Sequence, residues 1–412
     1  MLFSVLTQSN HWSDQRVVAQ SLKTGERRLL VRGASNARYL PTGHIVYARG
    51  QTLMAAPFNP ERLELTGAAV PIVDGVMRAN LQGPSSQWGF SGSGSLVYVP
   101  GGVGNDSELV WVDRTGLSRA LKLPAEDFES PRLSPDGNRV AVTAIGDKPD
   151  IWVYDTPRET FTRLTFEGYN SHAVWTPDGT RITFFSYRDG SSHLLLKAAD
   201  GSGAEEQIGS AEIATLFPQS WSPDGRMLTL SGLQASTRSW DIWVLPREGK
   251  ASPLLQTRFT EGSGTLSPDG RWLAYVSNES GIYQVYVQAF PGPGGKWQVS
   301  TDGGAEPVWA RNGRELFYRS GRKLMSVEIT TNPAFVARNP KTLFESDYQP
   351  NVVVFGRQNY DVTPDGQRFI MIRSKESAAA ANNPFMSKNA PQINVMLNLF
   401  EELERKVPTK TR

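Results

Sequence analysis

The sequence predicts an all-β chain, a β-propeller of four-stranded antiparallel blades. Three observations carry this. A turn tetrapeptide recurs at nearly even spacing, each copy is flanked by short segments rich in β-branched and aromatic residues, and the 412 residues include 38 Gly and 27 Pro. Many short strands joined by tight turns have this composition.

The tetrapeptide Ser/Thr-Pro-Asp-Gly occurs at Ser134–Gly137, Thr176–Gly179, Ser222–Gly225, Ser267–Gly270 and Thr363–Gly366. A degraded copy is Ala310-Arg311-Asn312-Gly313, and two weaker ones are Leu40-Pro41-Thr42-Gly43 and Ser91-Gly92-Ser93-Gly94. The residues before the glycines are 42, 93, 136, 178, 224, 269, 312 and 365, so the marks fall 42 to 53 residues apart. A period in this range means stacked supersecondary units. Proline presets φ near −65° at the first corner, aspartate bonds back to nearby backbone N–H groups, and glycine takes the positive-φ position. Each mark therefore joins two antiparallel strands, A and B. A third strand follows, as in Asp150-Ile151-Trp152-Val153-Tyr154 or Asp241-Ile242-Trp243-Val244-Leu245, and then a fourth, as in Lys296-Trp297-Gln298-Val299-Ser300. Four strands in about 45 residues make one propeller blade.

The marks place blade starts near residues 37, 87, 130, 172, 217, 263, 306 and 359, with seven full A–D units between about 37 and 346. Residues 1–33 read as a partial blade with strands B, C and D, and Tyr360–Val362 with Gln367–Arg373 read as its A and B. A ring must close without an exposed edge. The expectation is one propeller over residues 1–373, eight-bladed with a composite closing blade; seven blades with a loose end is the alternative. Residues 374–392, rich in Ala, Asn and Ser, read as a flexible loop, and 393–412 as a last strand and a short amphipathic tail helix that covers the ring. The chain begins in mid-blade, which reads as a fragment, or a late start codon, of a longer protein.

Charge and composition narrow the function. The 43 Lys+Arg balance 41 Asp+Glu, so no basic excess points to nucleic acid. There are no cysteines, which removes disulfides, thiolate zinc and thiol catalysis, and four histidines leave little room for a His-rich metal centre. No run of 18 apolar residues is present, and the start lacks a signal-peptide pattern. The chain as given reads as cytoplasmic, or periplasmic if it belongs to a longer exported protein.

The repeated Trp/Leu-Ser/Thr-Pro-Asp-Gly-x-Arg, with Asp-Ile-Trp-Val, resembles the WD40-like (PD40) propeller of TolB, and also the propellers of tricorn-type and prolyl-oligopeptidase-type proteases. Ala37–His44, Asn278–Gly281, Lys296–Gly304 and Asn398–Leu403 are similar to the C-terminal propeller region of bacterial serine/threonine protein kinases. The resemblance covers nearly the whole chain. It implies a sensor or scaffold module attached to, or derived from, such a kinase. No kinase domain is present in this chain, nor the N-terminal α/β domain of TolB.

Catalytic signatures are absent from the sequence. There is no Gly-x-Ser-x-Gly elbow, no phosphate-binding Gly-x-x-x-x-Gly-Lys-Ser/Thr, no kinase catalytic loop and no His-Glu-x-x-His. Asp136, Asp178, Asp224, Asp269, Asn312 and Asp365 read as turn geometry. Trp111, Trp152, Trp175, Trp221, Trp243 and Trp309 recur with the repeat and read as packing between blades. The loops around Arg188–Ser191 and Asn278–Gly281 offer oxygen ligands but do not match the twelve-residue calcium loop. The expectation is no cofactor and no metal.

The A–B turns are short and uniform, whereas the B–C and D–A loops vary. Variable loops on a rigid scaffold are where recognition usually resides. The candidate binding face carries Tyr169, His172, Arg188, Arg258, Glu261 and Glu279, for a protein partner or small ligand. The expected function is therefore a non-catalytic binding propeller. The alternatives are a propeller lyase or hydrolase with a channel-mouth site, and a TolB-like envelope scaffold.

Overall fold

The computed structural model describes residues 1–6, 15–50, 52–79, 85–100, 107–124, 126–145, 148–209, 215–234, 239–292, 294–332, 334–349, 356–374 and 393–409. Among these the chain is all-β apart from one helix, Leu399–Lys406. It divides into two compact units, Met1–Asp106 with Glu376–Arg412, and Ser107–Lys375. The loop expected over 374–392 lies, after Ser374, outside the described residues. Among the described residues no helix is long and apolar enough to cross a membrane.

The second unit contains six sheets. Blade 1 is Phe128–Leu133, Arg139–Ile145, Pro149–Asp155 and Thr160–Arg163, in that order from strand A to D. Blades 2, 3 and 4 repeat the pattern from Tyr169–Trp175, Leu216–Trp221 and Glu261–Leu266. Blade 5 starts at Ala305–Trp309 and adds Lys341–Glu345 beside its third strand, Lys323–Thr330. Blade 6 joins distant segments: Tyr360–Val362 and Arg368–Ser374 as A and B, Ser107–Asp113 and Ser118–Ala120 as C and D. Each innermost strand A adjoins the next, and that of blade 6 adjoins that of blade 1, so the six sheets close into a ring.

This corrects the expected closure. Arg368–Ser374 pairs over seven residues with Ser107–Asp113, not with the N-terminal strands. Leu2–Leu6, Gln15–Gln20 and Arg27–Arg32 instead form their own three-stranded sheet in the first unit. The segment expected as one blade from residue 87 is divided as well. Trp88–Phe90 pairs with Leu96–Tyr98, which pairs in turn with Asn394–Met396, while Ser107–Ala120 goes to blade 6. The physical reason is that turn chemistry fixes A–B hairpins locally, but carries no information about which C strand satisfies the free edge of a B strand.

The turns behave as their chemistry dictates. The hydroxyls of Ser134, Thr176, Ser222, Ser267 and Thr363 each donate to the aspartate two residues on, at 2.5–2.6 Å. Each of these hydroxyls also accepts the backbone N–H five residues on, closing the hairpin. The aspartates are thereby occupied as turn elements. The strand-A tryptophans join blades: Trp175 Nε1 donates to Arg132 O in blade 1 at 2.9 Å, Trp221 to Thr183 Oγ1 in blade 2 at 3.0 Å, and Trp309 to Thr265 O in blade 4 at 3.2 Å. In the first unit, helix residues Leu399 and Leu403 are buried against Leu40, Val46, Leu53 and Leu96.

Candidate functional site

Strand A of most blades carries a bulge four residues before the turn Ser/Thr. Ser130, His172, Ser263 and Glu306 occupy it with φ between +54° and +57°. Left-handed backbone is costly for non-glycine residues and persists only where the surroundings over-determine it. Blade 3 has Pro218 there, whose ring forbids positive φ. Blade 6 has Asn359. All but Pro218 of these residues are charged or polar, and those are buried.

Around this ring of bulges the structure gathers a polar cluster. Arg357 Nε donates to His172 Nε2 at 3.0 Å, and Arg357 Nη1 pairs with Glu129 Oε2. Because Nε2 accepts, His172 is the neutral tautomer with its proton on Nδ1, which donates to Ser171 Oγ at 2.8 Å. Tyr169 bonds the same guanidinium. Burial works against the charge on Arg357, but Glu129, then Tyr169, hold its pKa above the ordinary arginine value. Burial raises the Tyr169 hydroxyl in turn. The His172 ring lies flat on Phe217, centroids 3.9 Å apart and 4° from parallel. Phe217 stacks on Trp240 at 5.5 Å and meets Phe185 edge-on at 4.8 Å.

The six residues of the expected face are not brought to one place. Tyr169 and His172 share Arg357. Arg188 is engaged elsewhere in blade 2, donating to Ser186 Oγ at 2.9 Å and Glu205 Oε2 at 2.8 Å. Arg258 is exposed over the Phe259 ring at 4.9 Å. Glu279 pairs with Lys296. Glu261 is buried in blade 4, where its carboxylate accepts from Thr257 Oγ1 at 2.5 Å. Sequence reasoning missed Arg357 and Glu129. The available signal was repeat alignment: the position six before the turn Ser/Thr holds Asn170, Glu261 and Arg357 where other blades place Phe128 or Leu216.

Chemically the cluster is a clasp. The imidazole has both nitrogens engaged, the carboxylate is paired with a cation, and the aromatic ring beneath is apolar. A general base needs a lone pair free to take a proton within hydrogen-bond reach of a substrate. His172 spends that lone pair on Arg357. Among the described residues no group of three or more His, Asp or Glu side chains is arranged to hold a metal ion.

No family model matches the chain. An uncharacterized protein of Agrobacterium fabrum is 26% identical over 216 residues, 50% of this chain and 67% of that protein. The Tol-Pal system protein TolB of Anaeromyxobacter dehalogenans is 32% identical over 101 residues, which span 24% of this chain and only 23% of TolB. Among solved structures, that of a presumptive TolB of Agrobacterium tumefaciens aligns with 66% of this chain and 99% of its own, at 19% identity and a TM-score of 0.54. At that identity the likeness is one of fold, and the chain is a β-propeller similar to TolB.

Proposed function

We propose that this protein is a non-catalytic binding propeller whose loop-rich face, at the strand-A starts of the Ser107–Lys375 ring, captures a protein partner. The observation that carries this reading is the engagement of His172 Nε2 by Arg357: the histidine of the cluster spends on a guanidinium the lone pair that a general base would use. The repeat supports the same reading, since the recurrent aspartates are used up in turns. Two contexts follow from it. One is an envelope scaffold of the TolB type, placing the chain in the periplasm. The other is a sensor module attached to a serine/threonine kinase. The reading frame upstream of Met1 separates them by encoding an export signal or a kinase domain.

The test is partner capture by the tagged protein from its native extract. Joint alanine replacement of Arg188, Arg258 and Glu279 is expected to abolish capture. Joint replacement of Arg158 and Asp200, on the opposite face with the A–B and C–D turns, is expected to leave it intact. The reverse pattern would move the site to the turn face.

A further inference from the structure

The strand A of blade 6 is unlike the others. It is only three residues long, Tyr360–Val362, against six in blade 1 and seven in blade 2. The residues before it, Gly356–Asn359, leave the ladder and step across the ring axis. Each is then held by other blades. A Cβ on Gly356 would stand 2.4 Å from Ser231 Oγ and 2.9 Å from Gln219 Nε2, both in blade 3, and its φ is +65°. Arg357 bonds Glu129 of blade 1 and His172 of blade 2. Gln358 accepts from Arg132 of blade 1 through its backbone carbonyl at 2.8 Å and through its side-chain oxygen, and donates to Pro307 O of blade 5 at 3.4 Å. Asn359 Oδ1 accepts Ser130 N–H of blade 1 at 3.1 Å. Four consecutive residues thus fill a mould made by blades 1, 2, 3 and 5.

We propose that Gly356–Asn359 is a resident ligand, and that the mould it fills is the recognition site for a partner's extended segment presenting an arginine followed by an amide side chain. The mould matches that chemistry atom for atom. Glu129, His172 Nε2 and Tyr169 accept a guanidinium, as planar donors require. The Arg132 guanidinium and the Pro307 carbonyl satisfy the two ends of a primary amide. Most contacts of the segment are made by side chains and none by a strand ladder. Its release by local opening would break side-chain bonds but no strand ladder. Occupation in cis multiplies the apparent affinity for an external segment by the fraction of molecules whose mould is empty. This rests on the binding reading above and names the partner's chemistry.

The experiment uses the full chain carrying R357A/Q358A/N359A and the probe acetyl-Gly-Arg-Gln-Asn-amide, followed by isothermal titration. The emptied variant is expected to bind the peptide at least tenfold more tightly than the wild type. Replacing the peptide arginine by citrulline, or adding E129Q to the variant, is expected to remove that binding. A cooperatively folded variant with no binding, or binding indifferent to E129Q, overturns the proposal while leaving capture through the loop face standing. If the variant fails to fold, hydrogen exchange on the wild type decides. The Ser130 amide, which donates to Asn359 Oδ1, is expected to exchange at least tenfold faster than the Val142 amide in the blade 1 ladder. Exchange of both at one common rate would mean that the segment does not leave and would overturn the proposal.

Discussion

Two blade junctions built from the same repeat have opposite charge balance. Between blades 1 and 2, Asp150 is buried and its carboxylate is fully used. It pairs with Arg163 Nη2 and accepts from Thr165 Oγ1 at 2.8 Å and Asn170 Nδ2 at 2.9 Å. Between blades 3 and 4, Asp241 begins the same Asp-Ile-Trp-Val strand but, among the described residues, accepts only from Gln256 Nε2, at 3.4 Å. Glu261 stands where Asn170 stands. Among the described residues, Asp241 Oδ1 and Glu261 Oε2 are buried without a hydrogen-bond partner. Burial pushes the carboxyls of both Asp241 and Glu261 above the usual range, and the charge on Asp241 pushes Glu261 further against the opposing bond from Thr257. The repeat secures the strands; the polar junctions are individual, and an amide in one is an uncompensated acid in the other.

The largest effect is expected at the satisfied junction. D150A strands Asn170 and Arg163, which should cost about 2–3 kcal/mol. That is a fall in melting temperature of roughly 4–12 °C for a unit of this size. A change under 1 °C would show that the carboxylate is not holding blades 1 and 2 together.

At the other junction the sign reverses. E261Q rebuilds the Asp–amide pairing of blades 1 and 2 and should stabilise the protein by about 1 kcal/mol at pH 8. Because the folded pKa of Glu261 is raised, the folded state holds a proton that the unfolded chain releases. Stability therefore falls as pH rises from the ordinary carboxyl value, about 4, through the raised one. The benefit of E261Q should vanish at pH 4. D241N is expected to act likewise, and the double variant to gain less than the sum of the two, since either change removes the repulsion. Thermal melts across pH 4–8 check this; a gain independent of pH would point to packing instead.

The smallest effect lies in the turns. Asp136 is held below the usual carboxylate range, first by the Ser134 hydroxyl. A depressed acid contributes stability that is present above its unfolded pKa and lost as pH falls through the folded one. S134A should remove about 0.5 kcal/mol at pH 7 and little below pH 3, in acid-unfolding curves.

The sequence showed hairpins well because turns are local chemistry. Pro, Asp and Gly at fixed offsets, with a hydroxyl before them, determine the A–B connection wherever they occur. It did not show the partner of Arg368–Ser374, since every B strand presents the same unpaired edge and Ser107–Asp113 lies about 260 residues away. Nor did it show the site. His172 was visible as a histidine near a strand start, but its hydrogen-bond partner Arg357 lies 185 residues on. That arginine sits just before the short strand that begins at Tyr360. Glu261 was visible as a charge on the candidate face, yet its burial follows from the packing of blade 4 against blade 3, which no local pattern records.

The closure of six blades by Ser107–Asp113 is the claim on which both junctions and the mould depend. The chain has no cysteines, so engineered pairs report without background. Glu108 faces Arg373 and Asp113 faces Arg368 in the antiparallel register, at sites of opposite hydrogen-bonding type. One of the two double-cysteine variants, E108C/R373C or D113C/R368C, should oxidise to an intramolecular disulfide in the folded protein. If neither cross-links, and cysteines placed in Gln15–Gln20 capture R373C instead, the six-bladed ring is contradicted.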